Sequence, residues 1–146
     1  MAGPDTVEFD PDKLQATVRV TLAGDRNCVE PVVESIMQVV RQMNCANGKE
    51  HQIELALQEA LANAVVHGCK NDPSQIVECI VACDPERGML IMVRDPGPGF
   101  DPKAIPNPTT GENLFSTHGR GIFLINELMD KVEFRKNGTE IRMVKK

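Results

Sequence analysis

The chain has 146 residues, enough for one domain with a buried core. Its 41% hydrophobic and 25% charged residues exclude an intrinsically disordered chain. A net charge of −5, no Trp or Tyr and only five Phe argue against nucleic acid as the ligand, since phosphates call for a basic surface and bases for aromatic platforms.

No apolar run reaches the length of a membrane span. The acidic, polar start "MAGPDTVEFD" is not a secretory signal, so the expected location is the cytoplasm. The five cysteines are expected to be free thiols, and neither Cys79 with Cys83 nor His67 with Cys69 has zinc-site spacing.

In chain order, residues 1–15 read as a loose acidic lead-in and 16–146 as a single domain. "QATVRVTLA" (15–23) alternates apolar and polar residues, as a strand does. From Cys28 to Met43 the apolar steps of three and four predict a helix, with Pro31 in its first turn and Gly48 as the stop beyond it. A second helix is expected from Glu50 to His67, buried along Ile53, Leu57, Ala60, Leu61 and Ala64, with Gly68 as its C-terminal cap. "QIVECIVACD" (75–84) and "GMLIMVRD" (88–95) are strands joined by a short link. Residues 101–118 are a long Pro- and Thr-containing loop, and 119–132 a third helix. "VEFRK" and "TEIRMVK", joined by Asn137-Gly138, close the chain as a hairpin. Two hairpins imply an α+β fold: a mainly antiparallel sheet with helices on one face.

Three segments carry chemistry. Glu59, Asn63 and His67 recur every four residues, so they share a face of the second helix beside its apolar stripe. Two readings fit. One is a solvated ridge with His67 at the helix C-terminus. The other is a site where Asn63 offers a neutral oxygen to Mg²⁺ and Glu59 takes a proton from a hydroxyl or water. "DPGPGF" (95–100) is either a turn imposed by Pro and Gly or a place where Gly97 and Gly99 let the backbone approach a ligand, with Asp95 accepting from an amino group. Gly119 and Gly121 either loosen the start of a core helix or open its N-terminal amides to an anion. No Walker GK[ST] occurs, and the GxGxxG dinucleotide pattern is incomplete. The loop at 101–118 is a linker or a closing lid.

The order of these motifs resembles the GHKL ATPase superfamily, whose fold is a two-layer α/β sandwich of the Bergerat type. "EALANAVVHG", "VRDPGPGFDP" and "GRGIFLINELMDKVEF…GTEIRM" are most similar to the small bacterial anti-sigma-factor serine/threonine kinases. The resemblance runs from about Glu50 to Val144. It implies ATP and Mg²⁺ as cofactors, with the lid at about 101–118. By motif position it implies Glu59 as general base and Asn63 as Mg²⁺ ligand. Asp95 would sit on the adenine amino group, Gly97 and Gly99 beside the nucleotide, and Thr139 on the adenine side. Gly119, Arg120 and Gly121 would lie at the phosphates. The implied substrate is a serine on a STAS-domain antagonist, with a sigma factor as second partner and a homodimer as the assembly. Better-known members carry an arginine where this chain has Thr117 and His118, with Arg120 following between the glycines. That departure keeps a second function open, a nucleotide-gated binding module that transfers no phosphate. The absence of a phosphoacceptor-histidine helix argues against a sensor histidine kinase.

Overall fold

The computed structural model describes residues 16–44, 46–84, 86–98, 117–136 and 138–146. The expected lead-in (1–15) and most of the expected lid lie outside the described residues. The elements are β1 (Ala16–Ala23), α1 (Val29–Met43), α2 (Glu50–Asn63), β2 (Ile76–Asp84), β3 (Gly88–Arg94), α3 (Thr117–Leu128), β4 (Lys131–Arg135) and β5 (Glu140–Lys145). The five strands form one sheet in the order β1-β2-β3-β5-β4, every neighbouring pair antiparallel. The α+β reading therefore holds, with both hairpins formed.

Side-chain period explains the layers. α1 buries Val33, Ile36, Met37 and Val40, spaced three and four apart on one stripe. α2 buries Ile53, Ala56, Leu57, Ala60 and Leu61 in the same way. On the sheet, Val77, Cys79 and Val81 of β2, Met89, Ile91 and Val93 of β3, and Ile141 and Met143 of β5 join those helices and Ile125 of α3 in one core. The alternate residues Ala82, Leu90 and Val144 form a small second cluster on the opposite face. β3 is thus buried on both sides, which is why it reads as an unbroken apolar run.

Element ends depart from expectation in informative ways. α1 exits through Asn44, in the left-handed conformation at φ 54°, and not through Gly48, which lies in the turn beyond. α2 is α-helical only to Asn63, and Ala64–Gly68 then form a π turn. Its signature bond runs from the Cys69 N–H to the Ala64 carbonyl at 2.8 Å, five residues back. Left-handed backbone follows at Lys70 and Asn71, so Gly68 is not the cap. α3 starts at Thr117, two residues before Gly119. Cys28, Cys69 and Cys79 are free thiols, but Cys83 is disulfide-bonded, which corrects the all-free expectation. Spacing along the chain does not report the spatial proximity a disulfide needs.

Among the described residues no helix is long and apolar enough to cross a membrane. Leu57 is fully buried at the centre of the core. Leu57→Ala is expected to cost about 2–5 kcal/mol of unfolding free energy. Urea titration would show this as a lower midpoint with an unchanged slope.

Candidate functional site

A cavity of about 250 Å³ opens between α2, α3 and the ends of β3 and β5. Its walls are apolar: Ala60, Val93, Ile122, Ile125, Phe134 and Ile141. Asn63, His67, Asp95 and Thr139 converge on it as polar groups. Apolar walls with a few placed polar groups are the usual make-up of a small-molecule site.

The floor is backbone. Asp95 follows the last residue of β3, and its N–H donates to the Thr139 carbonyl at 2.9 Å. Its Oδ1 accepts from the Gly97 N–H at 2.8 Å. A methyl carbon added at Gly97 would lie 2.3 Å from the Gly68 carbonyl oxygen, and one added at Gly68 would lie 2.2 Å from Asp95 Cγ. Neither site has space for a side chain, so the π turn and the Asp95–Gly97 turn touch directly. This explains Gly68 better than capping does. Burial pushes the Asp95 carboxyl above the ordinary aspartate range, partly offset by the Gly97 hydrogen bond. Cys69 lies behind this turn, and burial followed by the Asp95 and Asp72 charges pushes its thiol upward.

α2 and α3 meet beside the cavity. A methyl carbon at Gly121 would lie 3.0 Å from both Glu59 Oε2 and Asn63 Nδ2. The missing side chain thus seats α3 directly on the two polar residues of α2. Neither the Glu59 nor the Asn63 side chain makes a hydrogen bond to a described residue, which leaves a carboxylate and an amide side by side with bonding capacity to spare. His67 lies at the rim, where partial burial lowers its pKa. The π turn separates it from the Glu59–Asn63 row, because an i→i+5 turn does not repeat every four residues. Thr139 lines the cavity, and its hydroxyl donates to the Lys136 carbonyl at 2.8 Å, so its oxygen can only accept from the cavity side.

Of the residues singled out in the sequence, the fold brings Asn63, His67, Asp95 and Thr139 to one cavity, packs Gly97 against Gly68 and Asp95 of its lining, and sets Gly121 against Asn63 and the neighbouring Glu59. Gly99 lies outside the described residues, and Gly119 and Arg120 are described only as α3 backbone. In the sequence Ile122, Ile125 and Phe134 mark only a helix and a hairpin, yet they form cavity wall. Their apolar period gave no sign of which side would face a ligand. Among the described residues no group of three His, Cys, Asp or Glu side chains could hold a metal by itself.

Residues 22–145 match the family model of the histidine kinase-like ATPase domain. The chain is 30% identical over 137 residues to the anti-sigma F factor of Clostridium acetobutylicum, covering 90% of this chain and 85% of that one. It is 28% identical over 137 residues to the anti-sigma F factor of Bacillus cytotoxicus, covering 90% and 83% of the two chains. To the serine-protein kinase RsbW of Bacillus thuringiensis it is 31% identical over 140 residues, covering 89% and 76%.

The half-buried Asp95 opposes folding when ionised, since its folded pKa is raised. Asp95→Asn keeps an acceptor for Gly97 and is expected to raise the melting temperature of the ligand-free protein at pH 7. The gain is full above the raised folded pKa and vanishes as pH falls to the unfolded value of about 3.9. Thermal melts of both forms between pH 3 and 7 would show the two curves converging in acid.

Proposed function

Because this chain belongs to the histidine kinase-like ATPase domain family, we propose that it is an ATP-dependent serine protein kinase that also acts as an anti-sigma regulator. The observation that supports this most is the seating of Gly121 against Glu59 and Asn63, beside a cavity that Asn63 and Asp95 both line. It gathers an acceptor for a base, a carboxylate, an amide and the first turns of a helix along one line.

The donor set suits a nucleotide with Mg²⁺. The apolar walls suit a flat ring, and Asn63 offers a neutral oxygen of the kind Mg²⁺ accepts beside waters and phosphates. Bound ATP with Mg²⁺ supplies the γ-phosphoryl group and neutralises its charge. In this reading Asp95 and Thr139, both acceptors, take the adenine amino group, and Gly97 with Gly99 keeps the backbone close to the ring. The amides of Gly119 and Arg120 fall within the first four of α3, which lack helical partners and suit phosphate oxygens. Arg120 is the cation of that segment. Gly121 brings the helix near enough for Glu59 and Asn63 to share the phosphate end. Glu59 would take the proton of an incoming serine hydroxyl as its oxygen bonds to the γ-phosphorus and the bond to the ADP oxygen breaks, ADP leaving.

The names of the relatives point to the wider role. Two are anti-sigma F factors and one is a serine-protein kinase. The proposed substrate is a serine on a STAS-domain antagonist, the competing partner a sigma factor and the working form a homodimer in the cytoplasm. Phosphorylation would decide which partner the kinase holds.

The test is transfer from γ-labelled ATP to a protein serine in the presence of Mg²⁺. Glu59→Gln is expected to lower transfer by about 10²–10⁴-fold with ATP affinity kept. Asn63→Ala should instead lose the Mg²⁺ dependence of ATP binding. ATP binding by the wild-type protein with no labelled serine on any candidate partner would overturn the kinase reading in favour of a nucleotide-gated binding module.

A further inference from the structure

Among the described residues, Glu140 is the one polar or charged residue that is buried. It opens β5, where Ile141 and Met143 face the helices, so Glu140 and Arg142 face the other side of the sheet. A lone buried carboxylate would be costly. Here each oxygen is claimed by arginine. Arg94 gives Nε at 2.8 Å and Nη2 at 2.7 Å to Oε1, and Arg142 gives Nε at 2.9 Å to Oε2. Lys136 stands 3.7 Å from Oε1, and Arg94 reaches back to Glu78 at 3.1 Å. The cluster spans β2, β3 and β5. Burial alone would raise the Glu140 pKa, but the two arginine hydrogen bonds and charges outweigh it and leave the carboxyl below its ordinary range.

Its place in the ladder is what matters. Arg94 and Glu140 are register partners and form the last rung of the β3–β5 pair. One residue further, Asp95 donates its N–H to Thr139. Because neighbouring residues point to opposite faces, Arg94 and Glu140 meet outside while Asp95 and Thr139 meet at the cavity. Beyond them the chain runs into Pro96-Gly97, which offers no further rung. A planar guanidinium gripping a carboxylate fixes distance and angle as an apolar pair cannot.

We propose that Glu140 is a positioning residue: its cluster with Arg94 and Arg142 on the outer face pins the last β3–β5 rung and thereby sets the spacing of Asp95 and Thr139 on the inner face. What that spacing serves, selection of an adenine base, rests on the function proposed above.

The experiment uses Glu140→Gln and the milder Arg94→Lys, which keeps the charge but loses the fork and serves if the first variant does not fold. Amide hydrogen exchange is read by NMR on the free protein at Asp95 and at mid-strand Ile91. ATP and GTP affinities are read by calorimetry. Exchange at Asp95 is expected to quicken at least about tenfold with Ile91 unchanged. The preference for ATP over GTP should fall by a similar factor. Asp95 and Ile91 quickening together, or neither changing, would overturn the inference and leave the cluster with a stabilising role only. A wild-type protein that does not prefer ATP to GTP would instead remove the adenine assignment, with the exchange result still deciding whether Glu140 positions the rung.

Discussion

Everything at this site depends on one close contact, the backbone of Gly97 lying against that of Gly68. A single added carbon at Gly97 would come within 2.3 Å of the Gly68 carbonyl oxygen. That approach joins the far end of α2 to the turn after β3, two segments that meet only because neither carries a side chain there. The π turn makes the approach possible. Its wider loop carries residues 64–68 off the straight path of α2 and delivers Gly68 under Asp95. Gly121 repeats the device at the other end of the cavity. Two helices and a strand end are thus held close enough for their polar groups to address one small molecule.

Asp95 shows the tension in such a site. A carboxylate in a partly apolar cavity is a liability to the folded chain, and its raised pKa records that liability. Glu140, more deeply buried, is lowered instead because two arginines meet it. The sheet carries both acids one rung apart on opposite faces. One is saturated with partners, and the other has one oxygen committed to Gly97 while the second accepts from no described residue. A saturated carboxylate holds shape, and an unsaturated one waits for a donor.

Much of this was legible in the sequence. Apolar steps of three and four marked α1 and α2, and the apolar run at 88–95 marked β3 as a strand, though not its burial on both faces. The sequence also singled out Asn63, Asp95 and Thr139, which line one cavity, and Glu59, Gly97 and Gly121, which pack against residues of its lining or their neighbours. The failures have a common cause. A glycine signals either left-handed backbone or close approach, and composition does not say which. Gly48 and Gly68 were read as helix ends, whereas Asn44 and the Lys70-Asn71 pair make the left-handed exits. The π turn leaves no compositional mark, because the shift from i→i+4 to i→i+5 depends on what the helix end meets. Glu140 looked like any strand acid, since its partner Arg94 is 46 residues away. The bonded state of Cys83 likewise leaves no mark in cysteine spacing.

The pairing of Asp95 with Thr139 brings together parts of the chain that are far apart in sequence. α2 and β3 come from its middle, α3 and β5 from its last third, and the cavity has no existence until β5 lies along β3. A molecule held between Asp95 and Thr139 would therefore act as a fastener across a long-range seam of the sheet. Its binding energy is spent against the very opening that would separate the two parts of the chain. Loading the site would then add to the stability of a fold that is already complete, and loss of occupancy would be felt first at the β3–β5 edge.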